Sequence, residues 1–465
     1  MKKTQFLFLV VAFAALFQYQ LFANTPTRGF WMWGSSLTNS NITSIVNKLS
    51  DNYANEVYLL VKGTNGTKTD PTILTNFITQ AHAKSIKVHL WYCVFQDNVY
   101  LISHPDARVY HCPNPAAGYN RPYRMDNESY VNPLYPGYKE YVLNNIGYFL
   151  NNFDCDGIHL DYIRYGHLVY SFDSYSLKKA ADLGCDTTRL LSFFNTSLNY
   201  QIYAVGSGFV NLYSQRDSDV VKWVNMRKDA ISDYISAIRD TIEKVKPGIK
   251  LTAAFMPEGV GNPNSSDVHY AQNYTLHSTW LDMIAPMSYF KSYNQPTSWL
   301  QSITSNAIDR VASTCKITAG LQAFGGVTAT ELDEQIVYAL EGGSHGVLIF
   351  KYEDITDNNK WNVIKNRFQS LSAVTNVSAD FFKLENYPNP FSSSTVIKFQ
   401  VAKPCEVSLT VYDAMGKKIM TLINQNMSPG FYNVNFNGNE LSDGIYFYSL
   451  EMDGLKATKK MILMR

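Results

Sequence analysis

An α/β fold, a (β/α)8 TIM-type barrel followed by a small Ig-like β-sandwich module, is what three features of the sequence predict. From residue 27 to about residue 370, short apolar strands alternate with helical periods, the order that parallel βα units require. Eight strand candidates fall in that stretch, the number with which such a barrel closes. Beyond about residue 380 the helical periods stop, and runs alternating apolar and polar residues sit between Gly, Asn and Asp turns. A chain of 465 residues is too long for one ordinary domain and has room for both parts.

In chain order, residues 1–23 combine Lys2 and Lys3 with an apolar run from Phe6 to Phe17 and a small residue at Ala23, the layout of a secretory signal peptide. No other stretch reaches the ~18 apolar residues of a membrane helix, so the mature chain is expected to carry no transmembrane segment. The strand candidates are 28–33, 56–62, 86–95, 157–162, 249–256, 282–289, 316–324 and 346–352. Helical periods cover 42–49, 72–84, 137–152, 219–245, 297–313, 329–341 and 359–370, while 270–281 is ambiguous. A doubly wound open sheet is the alternative, but Trp33-Gly34-Ser35-Ser36 after the first strand lacks the spacing of a phosphate-binding turn. The expected domains are 1–23 (signal peptide), 24–372 (barrel), 373–379 (a polar linker) and 380–465 (sandwich).

Charge excludes some partners. With 40 Lys and Arg against 39 Asp and Glu, and no basic stripe, neither nucleic acid nor a membrane surface is an expected partner. The six cysteines show no metal spacing, and Cys93 with Cys112 is the one disulfide pairing the sequence suggests, both falling around one strand and its loop. His89 and His159 sit inside strands without a third ligand at metal spacing, so no metal or other cofactor is expected, and His159 is placed among the sugar-binding residues. A serine nucleophile elbow is also absent.

The stretch Asp156–Tyr165 reads as a buried strand whose end turns polar. Period-2 alternation puts His159 and Asp161 on one face, and burying Asp161 unpaired would cost several kcal/mol, so it needs Arg164, His159 or a cleft. In a barrel, chemistry belongs at the C-terminal strand ends. That rule selects Lys62, Trp91, Tyr92, Arg164, Tyr289, Gln322 and Glu353 as further substrate-binding candidates around Asp161. Glycoside hydrolysis needs two carboxyl groups. Asp161 is the first, and Glu258, directly after the fifth strand, is the choice for the second, with Glu353 and Asp354 as competitors.

Two runs carry a resemblance to known families. Asn132–Val142 (NPLYPGYKEYV), then Phe153–Tyr165 (FDCDGIHLDYIRY), resembles the bacterial family 10-like glycosyl hydrolase-like proteins, in which the second motif lies on strand four of a TIM-type barrel. The likeness extends more loosely over about residues 27–370 and departs at Gly166, where members usually carry proline and where a long insertion follows here. It implies a secreted glycosidase acting on a polysaccharide or peptidoglycan-type glycan; a catalytically silent glycan-binding surface protein is the alternative. Glu385–Phe391 (ENYPNPF), Val411–Lys417 (VYDAMGK), Gly444–Tyr448 (GIYFY) and Lys459–Met464 (KKMILM) resemble the C-terminal sorting domain of type IX secretion. That second likeness implies the type IX machinery as partner of residues 380–465, and export through the periplasm and outer membrane to the cell surface or medium.

Overall fold

A computed structural model describes residues 25–381, 384–401, 405–414, 416–428, 430–452 and 455–465; the expected signal peptide lies outside the described residues. Thr27–Gln369 is one compact unit, and the chain from Ser370 belongs to a second.

In the first unit, β1 (Thr27–Trp33), β2 (Glu56–Lys62), β3 (Lys87–Cys93), β4 (Gly157–Asp161), β5 (Lys250–Phe255), β6 (Met283–Pro286), β7 (Lys316–Ile317), β8 (Ala319–Gln322) and β9 (Gly346–Phe350) form one sheet in the order β7-β6-β5-β4-β3-β2-β1-β9-β8. β7 and β8 are the two halves of the expected seventh strand, parted by Thr318. The first half pairs parallel to β6 and the second to β9, and Met287 bridges to Gly320, so eight strand positions come close to full closure as a TIM-like barrel. Glycine is required at 320, because a Cβ would lie 2.7 Å from the Pro286 carbonyl oxygen and 2.9 Å from the Trp31 ring.

The strands are buried on both faces, as parallel strands under a helical shell must be, and so read as near-continuous apolar runs. Helix starts follow local chemistry. Asp70 accepts from the Thr72 and Ile73 N–H groups ahead of Pro71–Ala83, and Thr328 with Glu331 forms a capping box for Ala329–Glu341. The insertion between β4 and β5 folds into short helices around a core of its own, where Phe172, Phe194, Phe209 and Trp223 are buried. Most insertion aromatics therefore serve packing.

Three elements differ from expectation. The ambiguous stretch 270–281 holds the short helix Tyr274–His277, which follows the helix Pro263–Tyr270 after a turn with Ala271 at φ 54°. The sixth strand ends early, at Pro286, although the Met287 and Ser288 N–H groups still donate to the Phe255 and Gly320 carbonyls. The last helix, Asn358–Phe381, continues through the stretch 373–379 expected to be linker.

In the second unit, β10 (Glu385–Tyr387), β11 (Ser394–Val401) and β14 (Gly430–Asn437) form one antiparallel sheet, while β13 (Lys418–Met427), β12 (Cys405–Asp413), β15 (Gly444–Met452) and β16 (Leu455–Leu463) form another. Alternate residues of β11 are buried, and Ile397, Phe399, Val407, Leu409, Tyr448 and Leu450 share one core, the sandwich arrangement. Among the described residues no helix is long and apolar enough to cross a membrane.

The suggested Cys93–Cys112 disulfide is not formed: neither sulfur is bonded to another, and both residues are buried. Cys93 ends β3 opposite Asp161, whereas Cys112 packs in the insertion core, so proximity to one strand and its loop did not bring the two sulfurs together.

Candidate active site

A cavity of about 600 Å³ opens at the C-terminal ends of the barrel strands. Trp31, Trp33, Trp91, Asp161, Arg164, Tyr289, Tyr293 and Phe350 are among its lining side chains. Three indoles around one carboxylate make it mostly apolar with a few convergent polar groups, the usual composition of a small-molecule site.

Asp161 is the last residue of β4, opposite Cys93 of β3. Three donors converge on it. Trp91 Nε1 donates to Oδ2 at 3.2 Å, while Arg164 and the Tyr162 N–H donate to Oδ1 at 3.1 and 2.6 Å. Tyr162 itself makes a left-handed turn at the strand end, φ 48°, a conformation that costs a non-glycine residue of order 1 kcal/mol. The same turn sets the Arg164 guanidinium over the Tyr162 ring, 4.4 Å from its centroid. All three of these partners donate, so the carboxylate is held as an acceptor at the cavity wall.

His159 lies on the same face of β4 but deeper in the barrel and does not line the cavity. Trp31 Nε1 donates to its Nε2 at 3.0 Å, which leaves the proton on Nδ1 to be donated to Thr252 Oγ1 at 2.8 Å. Burial, then the nearby His89, holds its pKa well below the ordinary value, so it is a neutral strut beneath the site rather than a sugar ligand.

Glu258 begins the short helix Glu258–Gly261 after β5. The Tyr293 hydroxyl meets its two oxygens at 3.1 and 3.0 Å, and the Tyr270 hydroxyl donates at 3.4 Å. Burial and the Glu258 charge push Tyr270 up to about 12, with Arg164 opposing, so this phenol stays a donor at neutral pH. Burial and Glu258 raise Tyr293 as well, again against Arg164. Arg164 thus pairs with Asp161 while its charge reaches both phenols that hold Glu258; Tyr293 lines the cavity and Glu258 does not.

Besides His159, four expected ligands are elsewhere. Lys62 is fully buried, with its ammonium on the Cys93 and Gln96 carbonyls at 2.7 and 2.6 Å and on Asp97 at 3.0 Å. It faces the helical shell, as does Tyr92, whose ring lies 5.0 Å from the Lys62 nitrogen and whose hydroxyl accepts from Asn145. Successive strand residues face opposite ways, so Trp91 inside requires Tyr92 outside. Gln322 is buried and accepts the Lys291 N–H at 3.0 Å, tying the loop after β6 to the end of β8. Glu353 accepts the Trp33 N–H at 2.9 Å and so anchors Trp33, whose ring also carries Lys351 at 3.5 Å, while Asp354 pairs with Lys351 at 3.7 Å.

Sequence reasoning missed Trp31, Trp33, Tyr293 and Phe350. Alternation in β1 and β9 was a usable signal for the strand residues, because Trp31 and Trp33 share a face. Tyr293 comes from a loop without periodicity.

The Glycosyl hydrolase-like 10 family model matches residues 52–337, and the Secretion system C-terminal sorting domain matches residues 385–464. The second match marks the chain for type IX export, to the medium or the cell surface. No curated protein sequence matches. Among solved structures, the glycoside hydrolase domain of PgaB (BpsB) from Bordetella bronchiseptica superposes with a TM-score of 0.57 at 11% identity, over 74% of this chain and 99% of its own. The catalytic domain of a β-amylase from Paenibacillus polymyxa gives 0.53 at 11%, over 75% and 98%, and a β-galactosidase from Marinomonas ef1 gives 0.53 at 10%, over 76% and 60%. At such identities the likeness is one of fold.

Proposed function

This chain belongs to the glycosyl hydrolase-like 10 family, and on that premise we propose that it cleaves glycosidic bonds in a polysaccharide or peptidoglycan-type glycan outside the cell. The observation that carries the reading is the Asp161 carboxylate facing a cavity walled by Trp31, Trp33 and Trp91. Indole faces complement the apolar faces of pyranose rings, and a fixed carboxylate beside them can meet the positive charge that develops at the anomeric carbon. Asp161, held by three donors, takes the role of nucleophile or base. Glu258 is the proposed proton donor, reaching the leaving oxygen through rotation past Tyr293. Of the expected ligands, Trp91, Arg164 and Tyr289 remain as substrate contacts. The working boundaries are 24–372 for the catalytic part and 380–465 for sorting.

A second reading, a glycan binder without turnover, is favoured by one observation: the Tyr293 hydroxyl meets both Glu258 oxygens, and Glu258 stands off the cavity wall. A screen of the full-length protein against a glycan panel separates the two. Products from any glycan, lost in Asp161→Asn, support hydrolysis; binding without product from every glycan bound sinks it.

A further inference from the structure

We propose that a run of aromatic rings leading out of the cavity binds the outer residues of an extended glycan, so that the substrate is a polymer or long oligosaccharide rather than a mono- or disaccharide. The inference rests on the glycan reading above.

The run starts at Tyr162, which lines the cavity. Its ring lies 6.2 Å from Tyr130, which lies 5.3 Å from Tyr170, which lies 4.9 Å from His111. His111 is 5.0 Å from Tyr123, and Tyr123 stacks face to face on Tyr119 at 3.7 Å with 6° between planes. Tyr119 is 43% exposed. The run is thus continuous from the cavity to the exposed Tyr119, with His111 buried and the rings of Tyr162, Tyr130, Tyr170 and Tyr123 partly exposed.

The rings are held in place before any ligand arrives. Antiparallel bridges join His111 to both Tyr123 and Tyr170, and Gln96 to Tyr130. Glu128 accepts from His111 at 2.8 Å and from the Tyr170 hydroxyl at 3.2 Å, fixing two of the rings by their polar edges. The loop carrying Tyr119 is closed by reciprocal backbone bonds with Asn114 at 2.7 and 3.0 Å. Preorganised rings lose little entropy on binding, and an exposed aromatic face tolerates any sugar.

Gly166 makes the run possible. A Cβ there would fall 2.5 Å from the Tyr170 ring and 2.9 Å from the Tyr130 ring.

The test measures affinity of the full-length protein for chito-, cello- and xylo-oligosaccharides from disaccharide to octasaccharide, with Tyr119→Ala and Tyr119→Trp. Tyr119 is exposed, so both variants should fold. Wild type is expected to bind long members of one series at least roughly tenfold tighter than its disaccharide. Tyr119→Ala should lower that ratio roughly two- to tenfold, and Tyr119→Trp should restore it. A ratio unchanged in Tyr119→Ala, or wild-type affinity independent of length, overturns the track and leaves the glycan reading standing. Failure of all three series and of isolated peptidoglycan to bind overturns both.

Discussion

Trp91 of β3 donates its indole N–H to Asp161 of β4 at 3.2 Å, and the two side chains meet at the wall of the same cavity. A stacking surface and a reactive carboxylate are therefore one unit. Trp91→Phe keeps the ring and removes the donor. It should cost about 0.5–1.5 kcal/mol of stability and reduce turnover more than glycan affinity, since the lost bond orients the carboxylate. Melting temperature, kcat and KM measured on one preparation check this; a change confined to KM would contradict it.

Asp161→Asn should lower turnover roughly a hundredfold or more while glycan binding persists. It also leaves the Arg164 guanidinium buried without its counter-ion, so unfolding should become easier by some kcal/mol. Adding Arg164→Gln to Asp161→Asn should return much of that stability without returning activity. Activity recovered together with stability would show that Asp161 is structural.

Lys62 pairs with Asp97 where both side chains are 0% exposed. Lys62→Met leaves a buried carboxylate uncompensated and should destabilise the barrel by about 3–5 kcal/mol, whereas Lys62→Met with Asp97→Leu should cost less. KM of the folded fraction should stay at the wild-type value. A raised KM at unchanged stability would restore Lys62 to the substrate site.

Acid should destabilise the barrel unit through buried histidines. Burial and neighbouring charges push His167 and His269 down to about 4, and burial takes His277 to about 3. The unfolded chain takes up these protons near pH ~6.5, so it binds more protons than the folded chain below that value. Stability is fully present above about pH 6.5 and is lost progressively as pH falls towards 4. The urea midpoint should therefore drop between pH 7 and pH 5, and drop less in His277→Gln. A midpoint that rises on acidification would refute the assignment.

Removing residues 382–465, beyond the helix that ends at Phe381, should leave a cooperatively folding, glycan-binding barrel that is no longer exported. Calorimetry of the truncated protein and its cellular fractionation check the two halves. Loss of a cooperative transition would show that the barrel core depends on the sorting module.

Local patterns along the chain are enough to give the barrel, the sandwich and the position of Asp161. Buried parallel strands and amphipathic helices leave local periodicities, and β2 spans the residues read from them, Glu56–Lys62. A lone carboxylate closing an apolar strand is likewise a local signal. Tertiary structure decided which neighbours share the cavity. Trp31 and Phe350 enter it because closure turns β1 and β9 inward, and Tyr293 because a loop folds back over Glu258. Lys62, by contrast, is withdrawn by Asp97, a residue far along the chain. Period-2 alternation separates the two faces of a strand but does not say which one a closed barrel takes inside. Long-range ion pairs and loop paths leave no periodic trace, so Trp91 as a partner of Asp161 became visible only when the strands were side by side.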